Sequence, residues 1–170
     1  ITNPQGPKAL WEFKHSTTCL TDAQVSTGTY AADCHLGLSF GNSIISKRKS
    51  DGKWVVYVTS GYNNVDPDPS DGIDPTLGNG MGYLYMLDAY TGKILERIST
   101  GVGCDGISTT APCVAGTVDP SGLGKINGWA DNAAVNNTVL AIYGADLKGN
   151  LWKFDLDTAN AASYLKAFKL

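Results

Sequence analysis

One local pattern occurs twice in this chain: an apolar strand, a tight turn and a second apolar strand. The clearer copy is Tyr143-Gly144-Ala145-Asp146-Leu147-Lys148-Gly149-Asn150-Leu151-Trp152-Lys153-Phe154-Asp155-Leu156. Leu151, Phe154 and Leu156 are apolar, and Trp152 faces away from Leu151 because strand side chains alternate. The Gly149-Asn150 pair supplies the backbone freedom a hairpin turn needs. The earlier copy runs through Tyr57-Val58-Thr59-Ser60-Gly61-Tyr62 and, after a loop, Gly82-Tyr83-Leu84-Tyr85-Met86-Leu87-Asp88-Ala89-Tyr90-Thr91-Gly92-Lys93. A hairpin pattern used twice points to a repeat architecture.

The rest of the chain fills in around these hairpins. Residues 38–49 and 54–61 flank Ser50-Asp51-Gly52-Lys53, and an Asp-Gly turn between two β-rich runs is a strong hairpin signal. With 82–88 and 93–99 they make a four-stranded meander. A second meander takes 125–130, 138–144, 149–156 and 164–168. Residues 9–14 alternate as a short strand and precede a meander, as 93–99 do. They read as the outer strand of a preceding unit. Asp88, Asp146 and Asp155 read as turn builders whose carboxylates accept backbone N–H groups. Four-stranded meanders in series are the unit of a β-propeller. The expected fold is all-β, a partial propeller of about two antiparallel blades plus that outer strand. Its divisions are 8–35 (strand and cysteine loop), 36–101 (first blade) and 102–170 (loop and second blade). Two blades cannot close a ring, so the open edges call for more of a longer chain, another copy or another protein.

Composition narrows the function. The 170 residues carry a net charge of −3. With no basic run, nothing favours a nucleic-acid partner. No stretch approaches the ~20 apolar residues of a membrane-spanning helix. The chain starts at Ile1 without a signal peptide, which reads as a piece of a larger or processed protein.

The four cysteines fall two to a loop, Cys19 with Cys34 and Cys104 with Cys113. The preferred pairing is within each loop, with free buried thiols or a metal site as alternatives. The spacing matches no common zinc pattern, and only His15 and His35 could add nitrogen ligands. Disulfides imply an exported protein. Neither histidine sits in a nucleophile motif, so no catalytic residue is expected. Trp11, Trp54, Trp129 and Trp152 all fall in strands and are expected to pack between blades. Asp66, Asp68, Asp71 and Asp74 are close enough in sequence to wrap a calcium ion. The alternative is a solvated acidic loop, because Gly72 is out of EF-hand register and two prolines limit the curl.

The run from Trp54 to Asn64 and on through Gly82–Gly92 resembles the C-terminal propeller of the PilC/PilY family, large tip-associated proteins of bacterial type IV pili. The block Gly124-Lys125-Ile126-Asn127-Gly128-Trp129-Ala130-Asp131-Asn132, continuing through Tyr143–Leu156, is similar to that family's most recognisable signature. The resemblance implies a non-enzymatic protein on the bacterial cell surface, reached through the periplasm and outer membrane. It implies a role in pilus biogenesis, adhesion and twitching motility. The partners implied are minor pilins or the pilus tip complex, and a host or abiotic surface receptor. Family members often carry a calcium loop before the Tyr-x-Gly-Asp-Leu-like strand. Here that loop spans Asp131–Leu140, with Asn132, Ala134, Asn136 and Leu140 at the ligand positions. Two of these are amides and two apolar, leaving Asp131, Asn132 and Asn136 as a weak calcium set. The Gly82–Lys93 pattern also suits quinoprotein dehydrogenases and outer-membrane assembly scaffolds. A periplasmic quinoprotein-type fragment and a scaffold propeller are therefore the competing readings. The quinoprotein would need an adjacent cysteine pair, which this chain lacks.

Overall fold

Two runs dictate the first sheet. Trp54–Thr59 and Tyr83–Asp88 are apolar or aromatic at nearly every position, the composition of strands covered on both faces. A computed structural model, which describes residues 9–64, 78–103 and 120–170, pairs them at the centre of a four-stranded antiparallel sheet. The elements in chain order are β1 (Lys14–His15), α1 (Asp22–Val25), β2 (Ala32–Asp33), β3 (Ile44–Lys47), β4 (Trp54–Thr59), β5 (Tyr83–Asp88) and β6 (Ile94–Ser99). They continue with β7 (Ile126–Trp129), β8 (Ala141–Ala145), β9 (Leu151–Asp155) and β10 (Lys166–Lys169). The sheets run β3-β4-β5-β6 and β7-β8-β9-β10, each a meander in sequence order.

The sheets stack with like strands together, β3 beside β7 and β6 beside β10. This is how neighbouring propeller blades meet, and with open edges the fold is a partial β-propeller. Between the sheets, Val55, Tyr57, Leu84, Met86 and Ile98 of the first pack with Ile126, Ile142, Trp152 and Phe154 of the second. Ser46 ties the seam: its hydroxyl donates to Asn137 O at 2.8 Å and accepts from Val139 N at 2.9 Å.

The turns form as the sequence implies. Asp88 Oδ1 accepts from the N–H groups of Tyr90 and Thr91. Asp146 Oδ1 accepts from those of Lys148 and Asn150, and its Oδ2 accepts from the Trp152 indole. Asp155 Oδ1 accepts from Asp157 N. Gly149 takes φ 79°, which frees the turn to close.

Several strands are shorter than read. Residues 38–49 keep only Ile44–Lys47, because Leu38 pairs instead with Tyr62 in an isolated bridge. The strand placed at 138–144 begins at Ala141, because Thr138 pairs across the seam with Lys47. Of 9–14, only Lys14 is in a strand; β1 pairs in parallel with β2, and Trp11 and Phe13 lie on the rear of the first sheet. The sequence reading also missed α1. Its capping box was legible in Thr21-Asp22-Ala23-Gln24, where Thr21 Oγ1 accepts from Gln24 N and Gln24 Oε1 accepts from Thr21 N.

Candidate functional site: a capped face and an open face

The rear of the first sheet carries Val56, Tyr83, Tyr85, Leu87 and Ile94. It is sealed by Leu20, Val25 and Leu36, with Trp11 and Phe13 packed at its border. These five belong to an N-terminal cap, residues 9–36, closed by a Cys19–Cys34 disulfide. The loop pairing expected for Cys19 and Cys34 is present. Cys104 and Cys113 lie outside the described residues.

The cap is fastened by a buried polar cluster. Asp33 is fully buried, and three donors meet its carboxylate. Leu20 N donates to Oδ1 at 3.2 Å, while the Tyr85 hydroxyl at 3.0 Å and Arg97 at 2.7 Å donate to Oδ2. Arg97 also donates to the exposed Asp22 at 2.8 Å. A buried carboxylate is tolerable only when paired and hydrogen-bonded in this way. Burial opposes the charge on Arg97, and hydrogen bonds to Asp33 and Asp22 outweigh it, holding the guanidinium above its usual value. Burial raises the Tyr85 phenol well above its usual value, and the Asp33 charge adds to that.

His35, two residues beyond Asp33, stacks on Tyr83 at 4.8 Å. Burial pulls its imidazole down to about 4; Asp33 opposes that shift and Arg97 reinforces it. His35 Nδ1 is buried without a hydrogen-bond partner. A neutral stacked imidazole suits this setting, and the cluster acts as a clasp. His15 serves the same cap through a 2.8 Å hydrogen bond between its Nδ1 and Leu36 O. Among the described residues, the one grouping with metal-ligand geometry is Cys19, Cys34 and His35, whose two sulfurs are already joined to each other.

The sequence reading missed Asp33, Tyr85 and Arg97. The available signal was the charged pair Glu96-Arg97, set between Leu95 and Ile98 within a strand.

The second sheet differs. Its rear seats against the first sheet, and its front carries Asn127, Trp129, Tyr143, Leu151, Lys153 and Phe168. No cap covers it among the described residues, and a shallow groove of about 610 Å³ runs past Asn127, Tyr143 and Leu151. Of the tryptophans expected between blades, Trp152 is there and Trp11 packs on the rear of the first sheet. Trp54 and Trp129 are exposed instead. Trp54 sits at the start of β4 beneath Lys47, and Trp129 ends β7 on the open face.

Of the calcium candidates, Asp66, Asp68, Asp71 and Asp74 lie outside the described residues. Asp131, Asn132 and Asn136 form an exposed turn in which Asn132 O accepts from the N–H groups of Val135 and Asn136. The Thr138 hydroxyl donates to Asn136 Oδ1. One carboxylate and an engaged amide do not suit an ion that takes about 6–8 oxygens.

No family model matches the chain. It is 27% identical over 141 residues to a type IV pilus biogenesis factor PilY1 homolog of Xylella fastidiosa (strain Temecula1), covering 81% of this chain and 8% of that protein. It is 26% identical over 160 residues to the type IV pilus biogenesis factor PilY1 of Pseudomonas aeruginosa (strain UCBPP-PA14), covering 92% of this chain and 10% of that protein. The chain is similar to PilY1 type IV pilus biogenesis factors along most of its length. A solved structure of the Pseudomonas aeruginosa PilY1 C-terminal domain matches over 72% of this chain and 19% of that one, at 27% identity and a TM-score of 0.49. The chain thus spans about a tenth or less of the length of the curated relatives it matches. No helix among the described residues is long and apolar enough to cross a membrane.

Proposed function

We propose that this chain is a non-enzymatic module of a type IV pilus biogenesis protein at the pilus tip, supporting assembly, surface adhesion and twitching motility. The observation that carries the reading is similarity to PilY1 proteins across 81–92% of the chain. The clasp agrees with it, because the buried charges of Asp33 and Arg97 are spent on each other and on fastening the cap. Its partners in this reading are minor pilins or the tip complex, with a host or abiotic receptor beyond. The same reading assigns calcium to Asp66, Asp68, Asp71 and Asp74, whose mutual repulsion the ion would relieve. Chelation should then lower the melting temperature, and an unchanged melt removes calcium from the reading.

The test is mass spectrometry of filaments sheared from the source cells. Peptides from residues 149–169 at trace ratio to the major pilin are the expected result. Recovery only from periplasmic or membrane fractions would overturn the tip assignment. A chromosomal deletion that leaves piliation and twitching unchanged would overturn the biogenesis role.

A further inference from the structure

A cleft of about 510 Å³ lies where the edges of the two sheets meet the cap. Its walls include Asp22 of α1, His35, Tyr83 of β5, Arg97 of β6 and Lys166 of β10. β6 and β10 are the last strands of their meanders, so the cleft opens at the sheet edges and not on a stacking face. Four buried side-chain polar atoms among the described residues have no hydrogen-bond partner. Two of them, Arg97 Nε and His35 Nδ1, belong to residues that line this cleft. Folded proteins leave few such atoms, and each calls for an explanation.

The guanidinium shows what is missing. Arginine holds a carboxylate best through two parallel hydrogen bonds. Arg48 has the complete fork: its Nε and Nη2 donate to the two oxygens of Asp51. Arg97 has half of one. Its Nη1 is committed to the buried Asp33, and its Nη2 donates to a single oxygen of Asp22 at 2.8 Å, leaving Nε without an acceptor. The Arg97 side chain is 6% exposed and that of Asp22 94%. A carboxylate so well solvated gains little from its ion pair and leaves at small cost. Tyr83 keeps the guanidinium in place meanwhile, with Arg97 Cζ 5.2 Å over its ring and His35 stacked on the same ring.

We propose that this cleft binds a carboxylate ligand, which displaces Asp22 and engages both Nε and Nη2 of Arg97. Lys166 adds a second cation to the wall. With its proton on Nδ1, His35 supplies a further donor. A cleft of this size suits a small ligand. The Asp33 charge behind Arg97 repels a dianion more than a monoanion, which favours carboxylate over sulfate or phosphate. A free organic acid and an acidic side chain of a polypeptide present the same two oxygens.

NMR titration of the isotope-labelled 170-residue chain tests this at constant ionic strength. The probes are sodium acetate and a blocked peptide with a single central glutamate. The Arg97 Nε–H and Ser99 amide signals should shift saturably, while the Arg48 Nε–H signal, already paired, stays in place. Acetate as tight as the peptide assigns the site to free organic acids, and a peptide several-fold tighter assigns it to acidic polypeptide. No saturable shift with either probe, or sulfate binding more tightly than acetate, would overturn the proposal. Asp22→Asn removes the resident carboxylate and should tighten acetate several-fold. Glu12→Gln, at an exposed acid off the cleft, should leave the affinity unchanged. Equal effects from the two would reduce the gain to net charge and sink the fork. Arg97→Lys keeps a cation beside Asp33 but has no fork, so the Ser99 shift should be lost. Retained binding in that variant would also overturn the proposal. Asp22 is exposed, so Asp22→Asn leaves the fold standing even where Arg97→Lys does not. All readouts use the purified chain, so their outcome is separate from that of the pilus reading.

Discussion

The first sheet is buried on both faces and the second on one, though they share strand number, strand order and hairpin connections. The difference lies in their central strands. Val55, Val56 and Tyr57 in β4, and Tyr83 through Leu87 in β5, are buried at consecutive positions. In β9, Leu151 is exposed, Trp152 buried, Lys153 half-buried and Phe154 buried, an alternation that leaves one face to solvent. A continuous apolar run and an alternating one therefore report how many layers a sheet sits between. The capped face of the first sheet adds what a second layer of protein demands of buried charge: three donors for the Asp33 carboxylate, and two carboxylates for Arg97, whose Nε alone is left buried without a partner.

The sharpest way to break the contrast is to strike each covered face once. Asp33→Ala leaves Arg97 buried without its carboxylate and should cost about 3–5 kcal/mol by chemical denaturation. Trp152→Ala empties the seam between the sheets and should cost a similar ~3–5 kcal/mol. A loss under 1 kcal/mol (roughly the surface range) at either site would mean that face is not covered as described. Next comes the cap's own closure. Replacing both Cys19 and Cys34 with Ala opens a link of sequence separation 15. Loop entropy alone predicts a loss of about 3 kcal/mol, measurable as a lowered denaturation midpoint.

A pH titration isolates the capped face from the open one. His35 has a folded value of about 4, below its ordinary 6.5, so the unfolded chain takes up a proton that the folded chain refuses. Stability from this group is present above pH 6.5 and is lost as the pH falls toward 4. The full loss is on the order of 3 kcal/mol. His35→Phe, which can still stack on Tyr83, should flatten the melting temperature across that window; an unchanged slope would assign it to other groups. The smallest effect belongs to the open face, where Trp129→Ser in this chain should stay within about 0.5 kcal/mol. A larger loss would show that the face is already covered.

Most of the sheet architecture was legible because it is local. Hairpin turns at Asp51-Gly52 and Gly149-Asn150, and β-rich runs on either side, mark out both meanders, with strand ends within a few residues except at β3, which starts six residues later than read. Cys19 and Cys34 were legible as a pair for the same reason, being in one loop. The clasp was not. Asp33 meets Tyr85 and Arg97 across separations of 52 and 64 residues, and no periodicity reports a contact of that span. Helix α1, four residues long, is too short to show a helical period. Trp129 carried the opposite problem. Its strand was read correctly, but alternation alone does not say whether the second face of a sheet has a neighbour.

The Asp146 carboxylate also bears on the order in which the chain assembles. Its partners Asn150 and Trp152 lie 4 and 6 residues away, so that turn needs almost no chain closure to form. The clasp must wait for the first sheet to exist and then recruit a segment from far upstream. Short-range contacts form early and long-range ones late when closure entropy governs the barrier. Asp146→Ala should therefore slow refolding, whereas Arg97→Ala should mainly speed unfolding, and chevron plots for the two variants would show which limb each one moves. The reverse assignment would mean that the cap nucleates the fold.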